Sequence, residues 1–129
     1  MGEYSARVID HFTDPRNMGL LPDPDATAAV ANPCCGDRLH LYARVRDGRI
    51  SACTFLAYGC VPTIALGSLL TEALVGREID ELGELDEDWV AGLAEGLAPR
   101  QRHCADLGKD ALMTLVGSYR AAHPKGALR

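Results

Sequence analysis

Hydrophobic and polar residues alternate over residues 39–45, where leucine, alanine and valine occupy every second position. A period of two is typical of a strand that buries one face. The Asp47-Gly48 pair that follows is typical of a two-residue hairpin turn. It predicts that residues 49–57 form a second strand, antiparallel to the first.

The other hydrophobic positions recur at helical spacing. They predict helices over residues 5–13, about 62–75 and about 103–122, with a shorter helix around Trp89. Residues 16–33 are rich in Pro, Asp, Gly, Asn and Ala without a sustained period, which predicts an irregular connection. The predicted order is therefore a helix, this connection, two strands and three helices.

The composition indicates one globular domain over residues 1–129, with 47% hydrophobic and 24% charged residues. The net charge is −5 and the basic residues are scattered, which argues against a nucleic-acid partner. No charged side chain occurs over residues 50–71, but Gly59 and Pro62 break this stretch, so no membrane helix is expected. Five cysteines and no secretory pattern at the N-terminus indicate the reducing cytoplasm.

Three of the cysteines, Cys35, Cys60 and Cys104, lie at the ends of predicted elements, where loops on a rigid scaffold can converge. Asp37 stands two residues after the first of them, and His103 directly precedes the third. Three sulfurs, one carboxylate and one imidazole are one ligand more than a tetrahedral thiophilic metal needs. This surplus, together with the absence of Cys-x-x-Cys knuckles, argues against a purely structural zinc site.

The spacing alone leaves two other interpretations open, namely incidental buried cysteines and thiol chemistry without a metal. Cys104 suits thiol chemistry, because the N-terminus of a helix stabilises a thiolate. Cys53, on a face of the second predicted strand, is predicted to be an ordinary core residue. Cys34 is predicted not to be a ligand, because adjacent side chains on an extended loop point apart.

Longer motifs run in order along nearly the whole chain. They are YSARVIDHF at residues 4–12, DPRNMG at 14–19, PCCGD at 33–37, YGC at 58–60, TE at 71–72 followed by Gly76, and HC at 103–104 with DA at 110–111. In these motifs the chain resembles iron-sulfur cluster assembly scaffolds of the IscU and NifU N-terminal type, in the SufE/NifU superfamily. Because the resemblance covers nearly the whole chain, it is more specific than any single motif.

The resemblance implies an α+β fold, in which a small antiparallel β-sheet packs against helices and the cluster site lies at one end. It implies that Cys35, Asp37, Cys60 and Cys104 bind the cluster and that His103 is a further candidate metal ligand. Cys104 would be the persulfide acceptor. The resting protein could hold Zn²⁺ instead of iron, because the same ligands accept both metals.

The resemblance also implies a set of partners. A cysteine desulfurase would deliver persulfide sulfur, ferrous iron would be added, and an electron donor such as ferredoxin would supply electrons. The product would be a [2Fe-2S] cluster, or a [4Fe-4S] cluster in a homodimer, that is transferred to recipient apoproteins. In this interpretation the protein is a scaffold and not an enzyme.

Three departures from the family pattern qualify these implications. The family often carries Leu-Pro-Pro-Val-Lys for an Hsp70-type chaperone, but this chain has LAPRQ at residues 97–101, which puts chaperone-driven release in doubt. VPT at residues 61–63 replaces the small residues usual after the second cysteine and would stiffen the Cys60 loop. The insertion typical of SufU-like proteins is not evident. Its absence argues against the alternative function, a zinc-bound sulfurtransferase partner that accepts persulfide from a desulfurase.

Overall fold

The structure is a computed structural model that describes residues 4–32 and 36–123 of the 129-residue chain. Its helices and strands, in chain order, are α1 (Ala6–Thr13), β1 (Ala26–Ala31), β2 (Arg38–Arg46), β3 (Arg49–Tyr58), α2 (Val61–Leu74), α3 (Glu87–Leu93) and α4 (Arg102–Ala122). Short 3₁₀ helices at Ile79–Glu84 and Pro99–Gln101 precede α3 and α4. The α+β fold implied by the resemblance is confirmed.

The three strands form one antiparallel sheet in the order β1-β2-β3. Arg46 pairs with Arg49 across the predicted turn, whose residues Asp47 and Gly48 have φ angles of 54° and 77°. Positive φ at both central positions is typical of a type I′ turn, whose twist matches that of the strands it joins. The prediction of this hairpin is therefore confirmed.

Strand β1 corrects the prediction that residues 16–33 form only an irregular connection. Residues Ala26–Ala31 pair with β2 in continuous antiparallel register. The first and third residues of this strand are buried and the second and fourth are exposed, so a period of two is present. The sequence pattern did not reveal it, because alanine occupies positions on both faces and gives little polar contrast.

The hydrophobic core lies between one face of the sheet and the helices. Six buried side chains of β2 and β3 contribute to the sheet side of this core: Leu39, Leu41, Ala43, Ile50, Cys53 and Phe55. They belong to one cluster with the buried residues of α2 and α4, which pack against this sheet. The core therefore holds the N-termini of α2 and α4 in a defined position relative to the sheet.

The outer edge of β3 is covered by other parts of the chain. The Phe55 N–H donates to the Asn17 carbonyl oxygen at 3.0 Å, and the Phe55 carbonyl oxygen accepts the Gly19 N–H at 2.8 Å. Further along the strand, the backbone of Ile50 bonds to residues 76–77 at 2.8 and 2.9 Å. These segments satisfy groups that an open edge strand would expose to pairing with another chain.

Helix α2 is apolar on nearly every side because it lies between other elements. Ten of its residues are buried, where it packs against β3, α1, α3 and α4. A buried strand and a buried helix thus account for the uncharged stretch over residues 50–71. Of the helices in the described ranges, none has the length and apolar character needed to cross a bilayer.

A buried histidine connects α1 to α2. The ring of His11 is almost fully buried, and its Nδ1 lies 2.7 Å from Ser68 Oγ. Because Ser68 Oγ already accepts the Arg16 N–H at 2.9 Å, its own proton is available to His11. Burial, with the charge of Arg16, lowers the pKa of His11 and favours the neutral ring. His11 is therefore a packing residue.

Gly67 sets the separation between α2 and the sheet. A Cβ atom at this position would lie 2.3 Å from Cδ2 of the Phe55 ring, which is completely buried. An added methyl group would therefore push the helix or the ring out of place.

We expect Gly67→Ala to lower the free energy of unfolding by about 1–3 kcal/mol, because overpacking a buried contact has costs of this size. Urea denaturation followed by circular dichroism measures this change. Gly117→Ala in α4 is the matched control. Among the described residues, and apart from the neighbouring backbone of α4 itself, no atom lies within 4 Å of its added methyl group, so it should stabilise by about 0.5–1 kcal/mol. Equal effects of the two substitutions would contradict the close contact.

Candidate metal centre

Four candidate metal ligands converge at one end of the sheet. Asp37 directly precedes β2, Cys60 is the N-cap of α2, and His103 and Cys104 lie in the first turn of α4. One ligand atom from each of these residues lies within 4.8 Å of each of the others. Cys35, the fifth predicted ligand, lies outside the described residues, as does Cys34.

Asp37 is held as a carboxylate at the centre of this site. Its side chain is buried, and Oδ1 accepts the Cys60 N–H at 3.2 Å. Oδ2 lies 3.2 Å from Cys60 Sγ, 2.9 Å from Thr63 Oγ1 and 3.3 Å from His103 Nε2. Burial alone would raise the pKa of Asp37, but the hydrogen bonds from Cys60 and Thr63 outweigh it and hold the pKa below its usual value.

The two thiols form a hydrogen-bonded pair with Sγ atoms 3.4 Å apart. The hydrogen bond from Cys104 lowers the pKa of Cys60 to about 6, against the opposing effect of burial. The same bond, together with burial, raises the pKa of Cys104. The sequence argument favoured a thiolate on Cys104, but in this geometry the first proton leaves Cys60, because Cys104 is the buried donor of the pair.

His103 presents one ring nitrogen to the site. Its Nδ1 lies 3.1 Å from the Arg100 carbonyl oxygen, which can only accept, so Nδ1 carries the proton. In the neutral ring Nε2 is then an acceptor, 3.5 Å from Cys104 Sγ and 3.9 Å from Cys60 Sγ. Burial would lower the pKa of His103, but the hydrogen bond and charge of Cys60 outweigh it and raise the pKa.

The spacing of these four groups fits a tetrahedral metal ion. Ligand atoms 2.0–2.3 Å from such an ion stand about 3.3–3.8 Å apart. The two sulfurs are 3.4 Å apart, Asp37 Oδ2 is 3.2 Å from Cys60 Sγ, and His103 Nε2 is 3.5 Å from Cys104 Sγ. Thiolate and imidazole suit zinc and iron, so an ion of this class could enter with small side-chain movements.

The family of the chain follows from its similarity to known proteins. Residues 3–125 match the family described as "NifU-like N terminal domain". The chain belongs to this family. The resemblance seen in the motifs is therefore confirmed.

Curated relatives of this family member are described as iron-sulfur cluster assembly scaffold proteins IscU. IscU 1 of Archaeoglobus fulgidus is 40% identical over 116 residues, which cover 90% of this chain and 76% of the relative. IscU of Azotobacter vinelandii is 39% identical, with 95% of this chain and 97% of the relative covered. IscU of Escherichia coli K12 is 36% identical, with 92% and 94% covered.

Solved structures of other proteins share the fold. The NifU-like N-terminal protein from Brucella abortus has a TM-score of 0.68 at 22% identity, with 96% of each chain covered. The SUF-system protein FiSufU from Fervidobacterium islandicum has a TM-score of 0.74 at 18% identity, with 89% of this chain and 97% of that chain covered. At these identities the likeness shows the fold alone.

The sequence argument missed Thr63, which occupies the middle of this site. Its hydroxyl lies 2.9 Å from Asp37 Oδ2 and 3.3 Å from the sulfurs of both Cys60 and Cys104. The residue was noted only as a departure that would stiffen the Cys60 loop. Its place in the sequence could have identified it. Thr63 stands three residues after Cys60, and a residue three places after a helix N-cap lies on the same side of the helix as the cap.

Gly59 allows the backbone before α2 to approach Asp37. Its φ is 134°, and a Cβ atom there would lie 2.0 Å from Asp37 Oδ1. A glycine is therefore required at this place in the YGC motif, both by its positive φ and by the buried carboxylate.

The remaining cysteine and histidines of the described residues lie elsewhere. Cys53 is buried in the core, as predicted, and burial raises its pKa to about 12. His40 lies on β2, 3.4 Å from the Tyr42 hydroxyl, and His123 bonds the Tyr119 carbonyl oxygen after α4. None of these three belongs to the group of candidate ligands.

We expect Cys60 and Cys53 to differ sharply in reactivity in the metal-free protein. The thiolate is the reactive form, so alkylation of Cys60 by iodoacetamide should rise as pH increases through about 6 and then level off. Cys53 should stay unmodified at pH 8 until the protein unfolds. Peptide mass spectrometry measures both sites separately. A Cys60 rate that keeps rising above pH 8, or modification of Cys53 in the folded protein, would contradict these pKa directions.

Proposed function

We propose that this protein is a scaffold on which an iron-sulfur cluster is assembled and from which it is transferred to other proteins. The observation that carries the proposal is the convergence of Asp37, Cys60, His103 and Cys104 at distances that suit a thiophilic metal. The naming of the relatives as IscU scaffolds supports the same function. In this function the iron and sulfide are cargo, and the chain supplies their ligands.

The cargo is proposed to be a [2Fe-2S] cluster bound by Cys35, Cys60, Cys104 and Asp37. Cys35 is included because it stands two residues before Asp37 in the PCCGD motif. Thiolates are the usual ligands of such clusters, whereas a carboxylate oxygen is a harder and poorer partner for their iron. One oxygen ligand would therefore leave the cluster labile enough to be handed on. A second copy of the chain could allow a [4Fe-4S] cluster to form.

Sulfur is proposed to enter at Cys104. A Cys104 thiolate would attack the terminal sulfur of a persulfide on a cysteine desulfurase, and the desulfurase thiolate would leave as the new S–S bond forms. The place of Cys104 in the first turn of α4 supports this role, because the helix dipole favours an anion at this end. In the metal-free geometry Cys60 and burial oppose this effect and raise the pKa of Cys104. Cys60 is the competing acceptor, since it is the more exposed and more acidic thiol.

The proposed reaction requires several partners. Each sulfur transferred as persulfide must gain two electrons to become sulfide, which is the task of an electron donor such as ferredoxin. Ferrous iron completes the cluster, and recipient apoproteins remove it. The chain would then bind and transfer cargo without being an enzyme.

A second candidate function is a zinc-bound sulfurtransferase partner that accepts persulfide from a desulfurase. The observation that favours it is that Asp37, Cys60, His103 and Cys104 already form a set of four donors without Cys35. Four ligands complete a tetrahedral zinc site. The two functions differ in whether iron and sulfide accumulate on the chain.

We expect anaerobic reconstitution with a cysteine desulfurase, cysteine and ferrous iron to produce the visible absorption and circular dichroism of a [2Fe-2S] cluster. Cys35→Ser, Cys60→Ser and Cys104→Ser should each lose most of this signal, because each removes a proposed thiolate ligand. Cys53→Ser is the matched control, since Cys53 lies in the core outside the site and its serine variant should keep the spectrum.

Persulfide mapping in the same samples separates the two functions. Persulfide on Cys104, with no cluster signal and with zinc retained, would overturn the scaffold proposal in favour of the sulfurtransferase. Persulfide on Cys60 in the wild type and in Cys104→Ser would overturn the assignment of Cys104 as acceptor.

We expect Asp37→Ala to retain a reconstituted cluster longer than the wild type under challenge by a chelator. The reason is that the hard oxygen ligand is removed while the thiolates remain. Asp37→Asn serves as a second variant, because its amide oxygen can still accept the Cys60 N–H. Visible absorption gives the decay rate. Equal or faster loss in both variants would contradict the role of Asp37 in lability.

A further inference from the structure

The hydroxyl of Thr63 contacts three of the four candidate ligands in the described part of the chain. The side chain is 2% exposed, and Oγ1 lies 2.9 Å from Asp37 Oδ2. It is also 3.3 Å from Cys104 Sγ and 3.3 Å from Cys60 Sγ. A buried hydroxyl therefore stands against the carboxylate and both sulfurs at once.

A hydroxyl has one proton to donate, and it can rotate without moving its oxygen. In the metal-free geometry Asp37 Oδ2 and Cys104 Sγ both lie within donor range of Thr63 Oγ1. The hydroxyl can therefore orient the carboxylate, the thiolate, or each in turn while the oxygen stays in place.

The backbone holds this hydroxyl in position. Thr63 lies in the first turn of α2, where Pro62 precedes it and its N–H donates to the Cys60 carbonyl oxygen at 3.1 Å. Proline fixes its own φ, and a β-branched side chain in a helix has few allowed χ1 values. The position of the Thr63 hydroxyl oxygen is thus set before any metal enters.

We infer that Thr63 is a positioning residue of the metal centre, whose hydroxyl holds Asp37 and Cys104 in the arrangement that binds a metal ion. The inference rests on the proposed function only in assigning the same residues as ligands. Hydrogen-bonding partners of metal ligands orient those ligands, and their loss typically weakens metal affinity about 10–100-fold. A hydrogen bond to a metal-bound thiolate also withdraws electron density from the sulfur.

The test is the affinity of the full chain for zinc, measured by competition with a chromophoric chelator. Thr63→Val removes the hydroxyl and keeps the side-chain shape, and Thr63→Ala removes it without adding a second methyl group. Both should bind zinc about 10–100-fold more weakly than the wild type. Thr63→Ser restores the hydroxyl and should bind within about threefold of the wild type, a difference well below that expected loss.

Thr71→Val is the matched control on the same helix. Thr71 is completely buried and its hydroxyl donates to the Ser68 carbonyl oxygen at 2.7 Å, but it is not among the contacts of the metal centre. Its substitution should lower stability and leave zinc affinity unchanged. This control separates the loss of a buried hydroxyl in general from the loss of the one beside the ligands.

Cobalt(II) binding supplies a spectroscopic readout that loss of stability would not move. The thiolate-to-cobalt absorption bands should shift to longer wavelength in Thr63→Val and Thr63→Ala, because the sulfur is more electron-rich without its hydrogen bond. They should stay in place in Thr63→Ser and Thr71→Val.

Unchanged zinc affinity in Thr63→Val and Thr63→Ala would overturn the inference. Failure of Thr63→Ser to restore binding, or an equal loss in Thr71→Val, would also overturn it. Zinc and cobalt binding need no desulfurase, iron or sulfide. A failed cluster reconstitution would therefore contradict the proposed function and leave the assignment of Thr63 intact.

Discussion

The buried carboxylate of Asp37 joins the start of β2 to the N-termini of α2 and α4. It accepts the Cys60 N–H through one oxygen and lies beside Cys60 Sγ, Thr63 Oγ1 and His103 Nε2 through the other. A buried charge without such partners would cost several kcal/mol or lose its ionisation. The carboxylate therefore requires these groups to converge, and their convergence creates the site.

This requirement explains several features of the surrounding backbone. Gly59 lacks a side chain at the point where the chain passes Asp37 Oδ1, and Gly67 lets α2 approach the Phe55 ring closely. Gly59 acts at the candidate ligand Asp37, and Gly67 acts at the contact between α2 and the sheet. Together they let the N-terminus of α2 reach the Asp37 carboxylate while the rest of the helix packs against the sheet. The segments along the outer edge of β3 keep that strand from pairing with another chain.

The site combines a pre-formed geometry with ligands of unequal strength. The two sulfurs are already near the spacing of ligands around a tetrahedral ion, and the four candidate ligand atoms lie within 4.8 Å of one another. The same groups satisfy one another by hydrogen bonds, and an incoming ion must displace some of these bonds. A mixture of soft sulfur, intermediate imidazole and hard carboxylate would suit the proposed cargo, which must enter and leave.

Periodic patterns predicted the regular elements well. Alternation in β2 and β3 and the Asp47-Gly48 turn identified the hairpin, and helical spacing identified α1, α2 and α4 close to their observed bounds. Strand β1 was missed, because its alanines give no contrast between its faces. A strand of this kind is specified by its pairing with β2 and by α4 packing on it, which are contacts distant in sequence.

The amino-acid sequence by itself determined the family, the α+β elements other than β1 and the identity of Asp37, Cys60, His103 and Cys104 as candidate ligands. It could do so because motifs, residue spacing and hydrophobic periodicity depend only on the order of residues along the chain. Only the tertiary structure decided which thiol is the more acidic and that the Thr63 hydroxyl lies beside the candidate ligands. Those properties depend on burial and on hydrogen bonds between residues far apart in sequence, such as Cys60 and Cys104, and no local pattern records them.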